Sequence, residues 1–111
     1  MYELLVPSRV IYGRNTFREV GRQAKALGSK ALIVSDPVME NIGLVARCEQ
    51  YLQEEGMSFA KYTGVDKEPT DVHVKEALDA CRSEQCDVIV AVGGGSSIDA
   101  AKAVSVMMTN E

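Results

Sequence analysis

Asp87-Val88-Ile89-Val90-Ala91-Val92-Gly93-Gly94-Gly95-Ser96-Ser97-Ile98-Asp99-Ala100-Ala101-Lys102 is the stretch on which the reading of this chain turns. An unbroken apolar run gives way to three glycines, two serines and an alanine-rich segment. The run reads as a buried strand from Asp87 to Val92, followed by a tight turn and the start of a helix. At such a junction bare backbone N–H groups and the helix macrodipole both favour a bound anion. Glycine there permits positive φ and lets a ligand approach the backbone closely. A plain strand-to-helix turn, which needs only one or two glycines, is the competing reading.

The turn matches neither common phosphate motif. Gly-x-Gly-x-x-Gly fails because Ser96-Ser97-Ile98 follows Gly95, and a Walker loop fails because no Gly-Lys-Ser/Thr is present. Context therefore carries the phosphate reading: glycines directly after a buried strand and directly before a helix. Ser96-x-x-Asp99 also has the form of a capping box, with Asp99 complementing the helix dipole and Lys102 one turn further on. The same residues, taken functionally, stand at the mouth of a ligand cleft.

Upstream, Ala31-Leu32-Ile33-Val34 is a second wholly apolar run, as expected of a parallel strand covered on both faces. It ends at Ser35-Asp36-Pro37, which puts a carboxylate at the carboxyl tip of the strand. In dinucleotide folds such a carboxylate accepts both hydroxyls of an adenosine ribose and repels a 2′-phosphate, favouring NAD over NADP. Asp36 equally suits a residue that turns the chain and caps the next helix.

The other segments alternate. Tyr2 to Val6 and Arg9 to Tyr12 are short β-prone runs split by Pro7-Ser8, read as edge strands open to pairing with another chain. Asn15 or Thr16 can cap a helix with Phe17, Val20, Ala24 and Leu27 on one face, ended by Gly28 at the position that favours a left-handed residue. Ile42, Val45, Cys48 (or Glu49) and Leu52 mark a second helix, ending near Gly56, and Ser58 to Tyr62 a strand. A third helix follows Pro69-Thr70-Asp71 with Val74, Ala77, Leu78 and Cys81 inward, and a last one carries Ile98, Ala101, Val104 or Ser105, and Met108. The predicted fold class is α/β, a parallel sheet with helices on both faces, preceded by a short β-hairpin. In a doubly wound sheet both flanks of the switch point form the crevice. Because the sequence stops at a helix, one flank is expected to be missing.

Composition narrows the function classes. With 111 residues, 46% hydrophobic and 25% charged, the chain has the make-up of one ordinary globular domain. A net charge of −4 and a pI near 5.0 argue against a nucleic-acid partner, since phosphate neutralisation needs a basic surface. Cys48, Cys81 and Cys86 contain no Cys-x-x-Cys, and His73, read as solvent-facing, is the single histidine, so no zinc site is expected. No apolar run approaches the about 20 residues needed to span a bilayer, and the N-terminus is too short and acidic for a signal peptide. A cytoplasmic protein with reduced thiols and no membrane partner is the expectation.

Gly93-Gly94-Gly95-Ser96-Ser97-Ile98-Asp99-Ala100-Ala101-Lys102 resembles the signature of the iron-containing (group III) alcohol dehydrogenases: Gly-Gly-Gly-Ser, two variable residues, Asp, one variable residue, Ala-Lys. Pro7 to Gly13 is similar to the family's opening hairpin, Lys30 to Asp36 to its strand ending in the ribose-binding aspartate, and Pro69-Thr70 to its Asn-Pro-Thr. The resemblance implies a Rossmann-like domain of the type also found in dehydroquinate synthases. Residues 1–111 would then be the N-terminal NAD(P)-binding part of an enzyme that transfers hydride between an alcohol and NAD(P). It implies Asp36 at the adenosine ribose, Gly95 and Ser96 at the pyrophosphate and Asp99 near the nicotinamide, with Gly93 and Gly94 among the cofactor-binding residues. Glu68 departs from the family's usual Asn.

The resemblance further implies a C-terminal helical domain whose one aspartate and three histidines hold iron or zinc. None of those ligands is in this sequence, so the chain alone is expected to be catalytically silent. A homo-oligomer joined through the N-terminal strands is expected of the parent. A glycerol dehydrogenase or dehydroquinate synthase cofactor domain, or a truncated non-catalytic binding module, are the alternatives.

Overall fold

A computed structural model describes residues 2–6, 9–13, 19–65, 71–93 and 95–109. Five strands form one sheet: β1 (Tyr2–Val6), β2 (Arg9–Gly13), β3 (Lys30–Val34), β4 (Ser58–Tyr62) and β5 (Val88–Val92). Their order is β2-β1-β5-β3-β4. β5, β3 and β4 run parallel, with Val34 opposite Ala91 and Tyr62, whereas β1 is antiparallel to both β2 and β5.

The predicted α/β class and its two-faced covering are as expected. Side chains alternate across a strand. Ala31, Ile33, Val88, Val90 and Val92 therefore pack on one face against α1 (Val20–Leu27) and α3 (Leu44–Glu54), through Val20, Ala24, Val45, Cys48 and Leu52. Leu32, Val34, Ile89 and Ala91 pack on the other against α4 (Asp71–Ser83) and α5 (Gly95–Thr109), through Ala77, Leu78, Cys81, Ala100, Ala101 and Val104. Burial on both faces is why β3 and β5 contain no polar residue after Lys30. β4 lies at the edge and mixes exposed and half-buried positions.

Several local expectations change. β1 is an interior strand, because the edge of β5 away from β3 carries backbone groups that must be paired, and Tyr2 to Leu5 pair with Val92 to Ile89. The helix-capping pair Asn15 and Thr16, and Phe17, lie outside the described residues. α1 is preceded by Glu19, whose side chain makes no cap hydrogen bond. The second helix begins only at Leu44, after Gly43 at φ 89°, with a separate short α2 (Pro37–Asn41) before it. Ile42 thus falls between helices and is exposed. His73 is half-buried, not fully solvent-facing.

Gly28 is extended (φ −173°), not left-handed. A Cβ there would lie 2.5 Å from both Asp87 Oδ1 and Val88 Cγ2, so close approach between chain segments, not positive φ, demands glycine. Asp87 is correspondingly not part of β5. Its carboxylate accepts from the Ser29 N–H (3.0 Å), the Ser29 hydroxyl (3.1 Å) and the Lys30 N–H (2.9 Å), tying the start of β3 to the start of β5.

Burial works to raise the pKa of Asp87, but the Lys30 and Ser29 donors outweigh it and hold the carboxyl below its ordinary 3.8. Because the folded value is the lower one, this stabilisation is complete above 3.8 and is lost as the pH falls through the folded value. Asp87→Asn is expected to cost about 1 kcal/mol at neutral pH, the carboxylate being exposed and screened. The two proteins should converge on acidification. Urea unfolding at neutral pH and well below 3.8 checks this, and a gap that widens in acid would contradict it.

Candidate functional site

The chain passes from β3 to β4 on one side and then crosses back to β5 on the other. The switch point of the winding therefore lies between β3 and β5, where ligands bind in open α/β sheets. Both flanking strands belong to this chain, so the flank expected to be missing is present. Ser35-Asp36 leaves the carboxyl end of β3 beside Gly93, which leaves the carboxyl end of β5.

Ser35 is fully buried and fully bonded. Its N–H donates to the Tyr62 carbonyl (2.9 Å), its carbonyl accepts from the Val65 N–H (3.3 Å), and its hydroxyl donates to the Val92 carbonyl (2.7 Å). One residue thus ties the ends of β3, β4 and β5 together. Asp36, half-buried and extended (φ −127°, ψ 166°), caps α2: Oδ1 accepts from the Met39 N–H at 2.9 Å, and Pro37 supplies a first helical residue with no N–H to satisfy. The capping role is realised, but it uses only one carboxylate oxygen. Oδ2 turns to the glycine turn, where the Ser97 hydroxyl donates to it at 3.4 Å.

Gly93 sits at φ +128°, a conformation L side chains rarely adopt. A Cβ on it would stand 3.0 Å from Asp36 Oδ2, 3.1 Å from Met39 Cγ and 3.5 Å from Ser97 Oγ. Gly94 lies outside the described residues, as does Glu68. Gly95 is the first residue of α5, is exposed, and has open space where a Cβ would go. Helix α5 therefore begins a residue before Ser96, and no acidic residue falls in its first turn. The expected capping box does not form: Ser96 lies inside the helix, half-buried, and Asp99 past the first turn, exposed.

Among the sequence-predicted residues, the fold brings Asp36 and Gly93 together and puts Gly95 and Ser96 at the start of α5. Asp99 shares their face at the i+4 and i+3 spacings. Sequence reasoning overlooked Ser97. Its position three, four and seven residues before the buried Ala100, Ala101 and Val104 was the available signal for an inward side chain.

Chemically, the site offers an acceptor-only carboxylate suited to hydroxyl donors beside a fifteen-residue helix whose N-terminus suits an anion. Gly95, with open space where a Cβ would go, leaves the backbone accessible at the start of the helix. Among the described residues no group of three or more His, Cys, Asp or Glu could hold a metal ion. The three cysteines are buried free thiols. Burial, and then Glu49 beside it, push the Cys48 thiol up to about 12, which leaves it inert as a nucleophile at neutral pH.

Residues 7–111 match the protein family described as iron-containing alcohol dehydrogenase. The chain is 40% identical to the 1,3-propanediol dehydrogenase of Klebsiella pneumoniae, over 100% of this chain and 30% of that protein. It is 35% identical to the NAD-dependent methanol dehydrogenase of Bacillus methanolicus, over 99% of this chain and 29% of that protein. A crystal structure of a 1,3-propanediol oxidoreductase superposes with a TM-score of 0.83 at 39% identity, over 100% of this chain and 29% of that one. The chain thus spans under a third of the length of these relatives.

Proposed function

Given that the chain belongs to the iron-containing alcohol dehydrogenase family, we propose that residues 1–111 are the N-terminal dinucleotide-binding domain of a metal-dependent alcohol dehydrogenase. The observation that carries the reading is the convergence of Asp36 Oδ2 and Gly93 at the switch point. Asp36 accepts from the adenosine ribose hydroxyls and repels a 2′-phosphate, so the cofactor is NAD, with NADP disfavoured. Gly93, Gly94 and Gly95 admit the pyrophosphate to the start of α5, Ser96 adds a hydroxyl there, and Asp99 lies toward the nicotinamide.

The parent transfers hydride between an alcohol and NAD, giving or consuming the aldehyde. Iron or zinc would polarise the alcohol oxygen. This chain's own part is to bind and orient the nucleotide, through Asp36 and the start of α5. A cytoplasmic homo-oligomer, joined at the outer edge of β2, completes the reading.

Titration calorimetry of the chain with NAD+ and NADP+ tests it. The wild type is expected to prefer NAD+. Asp36→Ala should weaken NAD+ binding by about tenfold, as for a lost hydrogen bond to a charged group, and abolish the preference. Equal affinities for the two nucleotides in the wild type would overturn the reading.

A further inference from the structure

Resting on that reading, we propose that Ser97 is a positioning residue that sets the nucleotide preference by fixing the carboxylate of Asp36. The torsion that turns a carboxylate plane is broad and roughly two-fold, so one hydrogen bond leaves the second oxygen poorly aimed. Here each oxygen has its own anchor, on a different helix. Met39 N–H of α2 holds Oδ1 at 2.9 Å, and the Ser97 hydroxyl of α5 holds Oδ2 at 3.4 Å.

Ser97 is fully buried, on the inward face of α5, so it reaches no ligand itself. Its hydroxyl acts through Asp36. The bare Cα of Gly93 leaves the space in which Oδ2 and the hydroxyl meet. A carboxylate oxygen accepts two hydrogen bonds, so Oδ2 keeps one lone pair for the ribose 2′-hydroxyl while Ser97 occupies the other. Because Ser97 and Gly95 stand in the same first turn of α5, this contact also registers the ribose-binding carboxylate to the pyrophosphate seat.

The test is a double-mutant cycle on the 111-residue chain, read by NAD+ and NADP+ titration. Ser97→Ala removes only the hydroxyl, and thermal unfolding checks that the fold stands. NAD+ affinity is expected to fall about threefold to tenfold with NADP+ affinity unchanged, so the preference narrows by the same factor. In the Asp36→Ala background the same change should have no further effect. A ligand-side arm uses 2′-deoxy-NAD+, which lacks one of the two hydroxyls and should lose less affinity on Ser97→Ala than NAD+ does.

An unchanged preference in Ser97→Ala, or an equal loss with Asp36 already removed, would overturn the role of Ser97 while leaving the nucleotide site intact. A wild type that binds neither nucleotide overturns the site itself, and this inference with it.

Discussion

Gly21→Ala is expected to destabilise the chain by about 3 kcal/mol or more, at or beyond the upper end of ordinary overpacking. Helix propensity alone predicts the opposite sign, since alanine in a helix interior is favoured over glycine by about 1 kcal/mol. Packing decides the outcome. A Cβ on Gly21 would fall on the carbonyl oxygen of Tyr51 and stand 2.6 Å from its carbonyl carbon. These are backbone atoms of α3, and α3 cannot retreat freely. Val45, Cys48 and Leu52 anchor it to the sheet, and Lys25 of α1 donates to the Glu55 carbonyl at its C-terminus at 2.6 Å. The third neighbour, Glu55 Cγ at 3.2 Å, is a flexible side chain and can yield. Urea unfolding of wild type and variant measures the effect, and an equal or higher midpoint for Gly21→Ala would show that the helices part without cost.

Gly93→Ala carries the second large effect, and it strikes fold and site together. Holding a non-glycine residue at φ +128° costs roughly 1–3 kcal/mol. The added methyl also presses on Asp36 Oδ2 and Met39 Cγ, which must give way by a few tenths of an ångström. The carboxylate then leaves its aligned position, and NAD+ affinity is expected to fall by more than about tenfold. Gly95→Ala separates the two consequences. Its Cβ enters open space at a helical position, so stability should hold while nucleotide binding drops. Calorimetric unfolding beside NAD+ titration reads both quantities. A Gly93→Ala protein with wild-type melting and binding would remove the turn from the site.

Much of this architecture was legible because local pattern and tertiary burial agree. The apolar runs Ala31 to Val34 and Val88 to Val92 are central strands, and Val74, Ala77, Leu78 and Cys81 do form the inward face of α4. Asp36 could be placed at the carboxyl tip of β3 from Ser35-Asp36-Pro37 alone, and its reading as the cap of the next helix is realised. What the sequence concealed are contacts between distant segments. Nothing near Gly28 announces Asp87, fifty-eight positions from Ser29, and nothing near Gly21 announces Tyr51. The interior place of β1 follows from the needs of β5, not from any property of Tyr2 to Val6. Ile42 misled because a helical spacing continues through it while Gly43, at φ 89°, breaks the helix. Ser97 was passed over although its spacing marks the inward face of α5, and its contact with Asp36, sixty-one positions away, emerges only once α5 is docked.

The threefold bonding of Ser35 bears on how the site receives its ligand. A hydroxyl, an N–H and a carbonyl that lock three strand ends in the dry interior make that floor one of the last places to open in a fluctuating fold. A nucleotide bound as proposed would meet a surface already ordered, and little of its binding energy would go into quieting the protein. α2 adds no buried residue and its Val38 is exposed, so the order of this end of the sheet rests on Ser35 and not on the short helix that follows.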